Sequence, residues 1–253
     1  MTITVYPVPG LPLIRPGDDL AALIAERIDL VDGDVLCVAS SVWSKAKGYL
    51  RSLDEISPTD RAKAIAERTG EDPRFIQAVL DESEELLLEF PFVLSVLPHG
   101  HIGVRAGVDQ SNVDGGRIIL LPPDPMGAAA ELRSAIEDRA GARIGVIVTD
   151  TCGRAFRRGQ TGHAIGWSGL TAIRDFRGDT DLFGLTLHIT EEAVVDECAG
   201  FANLVMGESN NGVPAVVIRG LPPWTGHDDI YWHEGEDLIR AALCAQCPVD
   251  PLR

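Results

Sequence analysis

The stretch of this chain best equipped for chemistry runs Thr149-Asp150-Thr151-Cys152-Gly153-Arg154 and continues through Arg157-Arg158-Gly159-Gln160. A carboxylate flanked by hydroxyls supplies hard oxygen donors of the kind Mg²⁺ and Mn²⁺ prefer, and three arginines follow at once. Metal ions lower the repulsion between anions and guanidinium forks hold transferring oxygens, so the combination suits a polyphosphate. A solvated basic loop is the alternative reading of the same residues.

Three further polar clusters interrupt apolar runs. Ser40-Ser41-Val42-Trp43-Ser44-Lys45 offers hydroxyls and one ammonium to phosphate oxygens, or is an exposed loop with a solvated lysine. Gly107-Val108-Asp109-Gln110-Ser111-Asn112 places an acid and an amide after a glycine that permits a tight bend, or is an Asx turn. Met206-Gly207-Glu208-Ser209-Asn210-Asn211-Gly212-Val213 holds two glycines that allow close backbone approach to a ligand. There Glu208 could add another metal-binding oxygen, and a plain helix end and loop is the alternative. The chain contains no GxxxxGK[ST] loop and no GxGxxG between a strand and a helix, so a phosphate site must be assembled from such loops.

Other residues carry weaker signals. His163 and His188 have no partner by spacing and read as packing or surface residues. Trp224, Tyr231 and Trp232 could stack on a planar ring or simply be half-buried. Cys244-Ala245-Gln246-Cys247 is a CxxC without the second pair a structural zinc site needs. The five cysteines form no regular framework, as expected in a reducing compartment.

The elements that must position these groups follow from periodicity and breakers. Strands are expected at residues 3–7, 34–41, 117–121, 142–149 and 214–219, with two more inside 92–108 around His99-Gly100-His101 and strand and turn over 182–190. Helices are expected at 19–28, from Pro58 to a stop at Gly70, and at 72–88, 127–140, 191–206 and 236–245. This puts Asp150 at a strand end and Asp109 in the loop after a strand pair. Without regular βαβ alternation the fold class is α+β, with mixed or antiparallel sheets, rather than doubly wound.

The 253 residues suffice for one large domain or two interlocked smaller ones, with boundaries not assignable from sequence. A formal net charge of −16 excludes a nucleic-acid partner, since the phosphate backbone requires a dense cationic field. No apolar run is long enough to cross a bilayer and the N-terminus lacks signal-peptide features, so a cytoplasmic protein with no membrane partner is expected.

Taken together, Gly10-Leu11-Pro12-Leu13-Ile14, Ser44-Lys45, Ala106 to Val113, Thr149-Asp150-Thr151, Gly159-Gln160-Thr161 and Val205-Met206-Gly207 resemble the factor 420 γ-glutamyl ligase family, over about residues 4–220. The resemblance implies an α+β fold of two subdomains in an intertwined homodimer. It implies a ligase that adds L-glutamate, once or repeatedly, to the carboxylate of coenzyme F420-0 at the expense of GTP, through an acyl phosphate. Two Mg²⁺ or Mn²⁺ ions would be held by Asp109, Asp150, Thr151 and Glu208, and a monovalent cation such as K⁺ is a further candidate. Leu11, Pro12, Leu13, Ile14, Ser40, Ser41, Lys45, Asn112 and Met206 to Val213 would line the nucleotide, and Asp109, Asp150 and Arg154 would act in catalysis. The chain departs from the family pattern with Glu208 where Gln is common, with Lys47 for a commonly acidic residue, and with Ala155-Phe156 for Pro-Trp. Two other readings stay open: a paralogous amide ligase for another amino acid or carboxylate, and a non-catalytic nucleotide- or deazaflavin-binding homologue.

Overall fold

A computed structural model describes residues 2–233, 235–246, 249, 250 and 252; Cys247 of the CxxC pair lies outside the described residues, and Cys244 is exposed. The chain forms two compact units, Met1–Trp43 with Asp124–Ile230 and Ser44–Pro123 with Tyr231–Arg253.

In chain order the first unit opens with β1 (Thr4–Pro7), α1 (Leu20–Ala25) and β2 (Val35–Ala39), and the chain leaves it within α2 (Ser40–Lys47). The second unit contains β3 (Leu50–Ser52), α3 (Asp60–Thr69), α4 (Pro73–Glu82), β4 (Glu85–Leu88), β5 (Leu94–Val96), β6 (Ile102–Val104) and β7 (Arg117–Ile119). The first unit resumes with α5 (Pro125–Ala140), β8 (Gly145–Arg154), β9 (Arg157–Ser168), β10 (Ile173–Asp175), β11 (Glu191–Ala193), α6 (Val194–Met206), β12 (Ala215–Arg219) and β13 (Gly226–His227). Helix α7 (Leu238–Gln246) belongs to the second unit.

The first unit is built on a five-stranded sheet in the order β1-β12-β2-β8-β9, in which β2 and β8 are parallel and the other pairs antiparallel. Its near-continuous apolar strands mark burial on both faces. On one face Val35, Cys37, Ile147, Val216 and Ile218 form a core with Val195, Cys198, Ala199 and Ala202 of α6. The alternate residues Leu36, Val38, Val146 and Val148 are fully buried too, on the face where α5 covers β8 and β9 and α1 packs on α5. Each such aliphatic side chain contributes about 1.5–3 kcal/mol relative to exposure. A bulge lies between Val148 opposite Gly166 and Thr149 opposite Ala164. The extra residue reverses the facing of β9, so Ala164 and Trp167 both enter the α6 core. A smaller sheet, β11-β10-β13, completes this unit.

In the second unit β3 pairs with β7, β5 lies between β4 and β6, α3 packs on α4, and α7 packs on β4. The helix ends follow their capping residues: Thr59 and Gly70 bound α3, and Asp124 and Gly141 bound α5. Among the described residues no helix is long and apolar enough to cross a membrane.

The α+β class with mixed sheets matches the sequence expectation; several element bounds differ. Ser40 and Ser41 begin a helix instead of ending a strand. Helix α4 stops at Glu82, where the buried Ser83 hydroxyl bonds back to the Val79 carbonyl at 2.6 Å, and Leu86 to Leu88 pair with β5 as a strand. Residues 182–190 form no strand among the described residues, only the isolated bridge of Thr180 with Thr186 nearby, and Glu191–Ala193 forms β11 ahead of α6. The strand expected to end at Thr149 runs on to Arg154, so Asp150 lies inside it and the arginines sit around a β-hairpin turn.

The bulge yields a stability test. A Cβ on Gly166 would lie 2.1 Å from the Pro125 carbonyl oxygen, a backbone atom at the start of α5. Gly166→Ala should therefore cost about 1–3 kcal/mol in urea unfolding, the usual range for overpacking; an unchanged midpoint would mean that α5 does not press on β9 there.

Candidate active site

Strand directions bring four distant segments together. With β1 antiparallel to β12, β12 antiparallel to β2, and β2 parallel to β8, the chain leaves β1 and β2 and enters β12 at one end of the sheet, where β8 passes Asp150. Ala39 lies beside Thr149 in the β2–β8 register, and the Ala39 N–H bonds the Pro214 carbonyl at 2.9 Å. Leu11 to Ile14 after β1, Ser40 and Ser41 after β2, Asp150 and Thr151 of β8, and Met206 to Val213 before β12 therefore occupy the same end of one sheet. Of Leu11 to Ile14, Ile14 is buried and Leu13 is exposed.

Asp150 and Thr151, neighbours on a strand, point to opposite faces, and their partners agree. The Ser40 hydroxyl lies 3.5 Å from Asp150 Oδ1, whereas the Thr151 hydroxyl donates to Glu208 Oε1 at 3.3 Å. Asn203 Nδ2 donates to the same Glu208 oxygen at 2.8 Å. Oxygen donors thus form two groups, Asp150 with Ser40 and Thr151 with Glu208. Glu208 reaches this place because α6 ends at Met206 and Gly207 turns the chain at φ +71°. With ψ at 176° this is a backbone conformation that glycine takes readily and side-chain-bearing residues rarely adopt. Ser209, Asn210 and Asn211 are exposed, Gly212 takes φ +68°, and Val213 is half-buried.

Arg154 stands farther out. It lies four residues beyond Asp150, roughly 13 Å along the strand at about 3.3 Å per residue, and its guanidinium donates to the Gly159 carbonyl at 3.2 Å. Arg154 pairs with Arg157 across the turn residues Ala155 and Phe156, and residues 153–160 are exposed.

The second unit holds Lys45, Asp109 and Asn112. Arg105, Ala106 and Gly107 are consecutive left-handed residues, with φ of 55°, 51° and 66°. At Gly107 a Cβ would come within 2.3 Å of the Leu121 side chain. The contorted turn leads to Asp109, whose backbone exchanges hydrogen bonds with Ile119 in both directions, at 3.1 and 2.9 Å. The Asp109 carboxylate accepts the backbone N–H groups of Gln110 and Ser111 and the Ser111 hydroxyl. Partial burial pulls the Lys45 ammonium below its usual pKa, while the Asp109 and Asp114 carboxylates pull it back up. Asn112 is also left-handed, at φ 53°, and exposed.

Sequence reasoning overlooked two groupings. The Cys152 sulfur lies 3.1 Å from His163 Nδ1 across the β8–β9 hairpin. Burial first, then Asp150 and Asp196, pushes this thiol up to about 12, so it stays protonated near neutrality. The second is Asp175, Glu191 and His227, whose ligand atoms converge on the small sheet. Arg177 already supplies the cation there, at 2.7 Å from Asp175 and 3.2 Å from Glu191. It holds the Asp175 carboxyl down at about 2. Only strand pairing brings these residues together; their spacing in the sequence gives no sign of it.

Comparison with known proteins places the chain in a family. Residues 10–220 match the model of the F420-0:Gamma-glutamyl ligase family. The chain is 53% identical over 245 residues to a Coenzyme F420:L-glutamate ligase of Archaeoglobus fulgidus, covering 96% of this chain and 98% of that one. It is 54% identical over 244 residues to the protein of the same name in Natronomonas pharaonis, covering 93% and 94%. With that of Methanosarcina acetivorans it shares 46% over 244 residues, covering 94% and 96%. The chain belongs to the F420-0:gamma-glutamyl ligase family.

Proposed function

We propose that this protein forms an amide bond between L-glutamate and the carboxylate of coenzyme F420-0, as the names of its family and relatives suggest, and that it consumes GTP, as the family resemblance implies. The observation that carries the reading is the gathering of Ser40, Asp150, Thr151 and Glu208 at one sheet end, in a chain similar over nearly its whole length to proteins so named.

A carboxylate is a poor electrophile, and phosphorylation solves this. The substrate carboxylate oxygen attacks the γ-phosphorus of GTP, the bond to the β-phosphate breaks, and GDP leaves. The glutamate amine then attacks the acyl phosphate, loses a proton and expels inorganic phosphate. Ser40 and Ser41 contact phosphate oxygens, and the 206–213 turn presents backbone N–H groups to the nucleotide; Lys45 keeps the nucleotide role that the family resemblance gives it. The Thr151 hydroxyl and the Glu208 carboxylate, 3.3 Å apart, are hard oxygen donors of the kind that suits Mg²⁺ or Mn²⁺, as is the Asp150 carboxylate. Asp150 would hold one cation, and Thr151 with Glu208 would hold a second; Asp109 keeps the ligand role that the family resemblance gives it. Bound divalent ions would neutralise phosphate charge during transfer. Arg154, at the exposed hairpin, keeps the catalytic role that the family resemblance gives it.

The same reading makes the protein a homodimer. Leu182, Phe183 and Ile189 are 100%, 96% and 88% exposed, as is Phe156 at 92%, an apolar load unusual for a monomer and suited to a second copy of the chain. Leu182→Asp with Phe183→Asp should halve the mass measured by light scattering; an unchanged dimer would remove this surface from the interface.

Ligation itself is tested with labelled glutamate, F420-0, GTP and saturating Mn²⁺. Wild type should yield product bearing added glutamate, and Asp150→Asn should lose at least about 10²-fold in rate, the order expected when a charge-stabilising group is lost. Near-wild-type ligation by the variant would refute the ligand assignment. GTP turnover with some other acceptor only would favour a paralogous ligase.

A further inference from the structure

Asn203 is tied to the Thr151–Glu208 pair in three ways. Its amide Nδ2 donates to Glu208 Oε1 at 2.8 Å, the shorter of the two hydrogen bonds that oxygen accepts. Its backbone carbonyl accepts the N–H of Gly207 at 2.8 Å, the bond that closes α6 immediately before Glu208. Its Cβ lies against Gly162, only 3.0 Å from where a Cβ there would sit, and Gly162 is the cross-strand partner of Thr151. One residue therefore rests with its side chain on the strand pair carrying the hydroxyl and bonds the carboxylate itself, while its backbone carbonyl holds the turn that carries that carboxylate.

A carboxylate only accepts hydrogen bonds, so the Asn203 NH₂ group is the end that must face it. With Oε1 taken by Asn203 and Thr151, the other oxygen of Glu208 and a lone pair of the Thr151 hydroxyl are the donors left for an ion. Without the amide, Glu208 is a long exposed side chain at a helix end, free to rotate among several rotamers, and Thr151 alone is a weak ligand.

We infer that Asn203 is a positioning residue, which aims the Glu208 carboxylate and so sets the affinity of the Thr151–Glu208 cation site. The inference rests on the proposed cation role of that pair. Outer groups that orient metal ligands are typically worth about 10–100-fold in metal affinity.

The test compares Asn203→Ala and Asn203→Leu with wild type and Glu208→Ala. Both variants keep the Cβ that lies against Gly162 and lack the donor, and leucine also restores bulk beyond the Cβ, separating lost packing from the lost hydrogen bond. Mn²⁺ binding in the presence of GDP is followed by electron paramagnetic resonance, ligation rate is measured against Mn²⁺ concentration, and thermal melting controls for folding. Both Asn203 variants should bind one Mn²⁺ about tenfold or more weakly and need correspondingly more metal for half-maximal rate. Most of the lost rate should return at saturation. If Glu208→Ala weakens binding and neither Asn203 variant does, Asn203 has no positioning role. Nor has it one if only the alanine variant is affected, or if rate falls at all metal concentrations with unchanged binding. If Glu208→Ala also binds both ions normally, the cation assignment of the pair fails, and this inference with it.

Discussion

One parallel strand pair in an otherwise antiparallel sheet puts Ala39 beside Thr149, and the residues after each of them inherit that neighbourhood. Ser40 starts a helix at the end of β2 while β8 continues, so a hydroxyl comes up against the Asp150 carboxylate. The antiparallel partner on the other side of β2 brings in the turn before β12, and Glu208 with it. Register is a strict constraint: a slip of one residue would exchange the faces of Asp150 and Thr151 and undo both groupings. The aliphatic side chains packed on both faces of this sheet hold the register, so the site depends on core burial several residues away.

The β9 bulge serves the same end. It sits one pair away from Asp150 and lets the hairpin change facing as it leaves the core, so that Trp167 stays buried while residues past Gln160 toward the turn are solvent-exposed. Gly162 and Gly166 are required by backbone oxygens of α6 and α5 pressing on the strand. Glycines in strands usually mark such close approaches.

Much of this was legible in the sequence, for reasons that can be given residue by residue. The apolar run 142–149 announced a buried strand, Gly70 stopped a helix as its chemistry dictates, and hydroxyls and acids at run ends marked residues that the fold gathers at one sheet end. What failed was local ambiguity. Leu86 to Leu88 suits helix or strand equally, and pairing with β5 decides. The strand through Asp150 ran past its apolar stretch because β9 supplied hydrogen-bond partners that no periodicity reveals. The separation of Asp150 from Thr151 onto two faces follows from period-two geometry once the strand is known to continue. The Asn203–Glu208 contact needed the path of the chain after α6, which depends on the left-handed φ of Gly207.

If oxygen donors on two faces of one hairpin, together with the turn after α6, hold divalent cations for a nucleotide, manganese must be visible beside them. Anomalous scattering of Mn²⁺ in crystals of the protein grown with GDP reads this out. One manganese peak is expected at roughly 2.0–2.6 Å from the Thr151 hydroxyl and the Glu208 carboxylate, and another at similar distance from Asp150. GDP present in the density with no manganese at either place would mean that neither group of oxygens is a cation site.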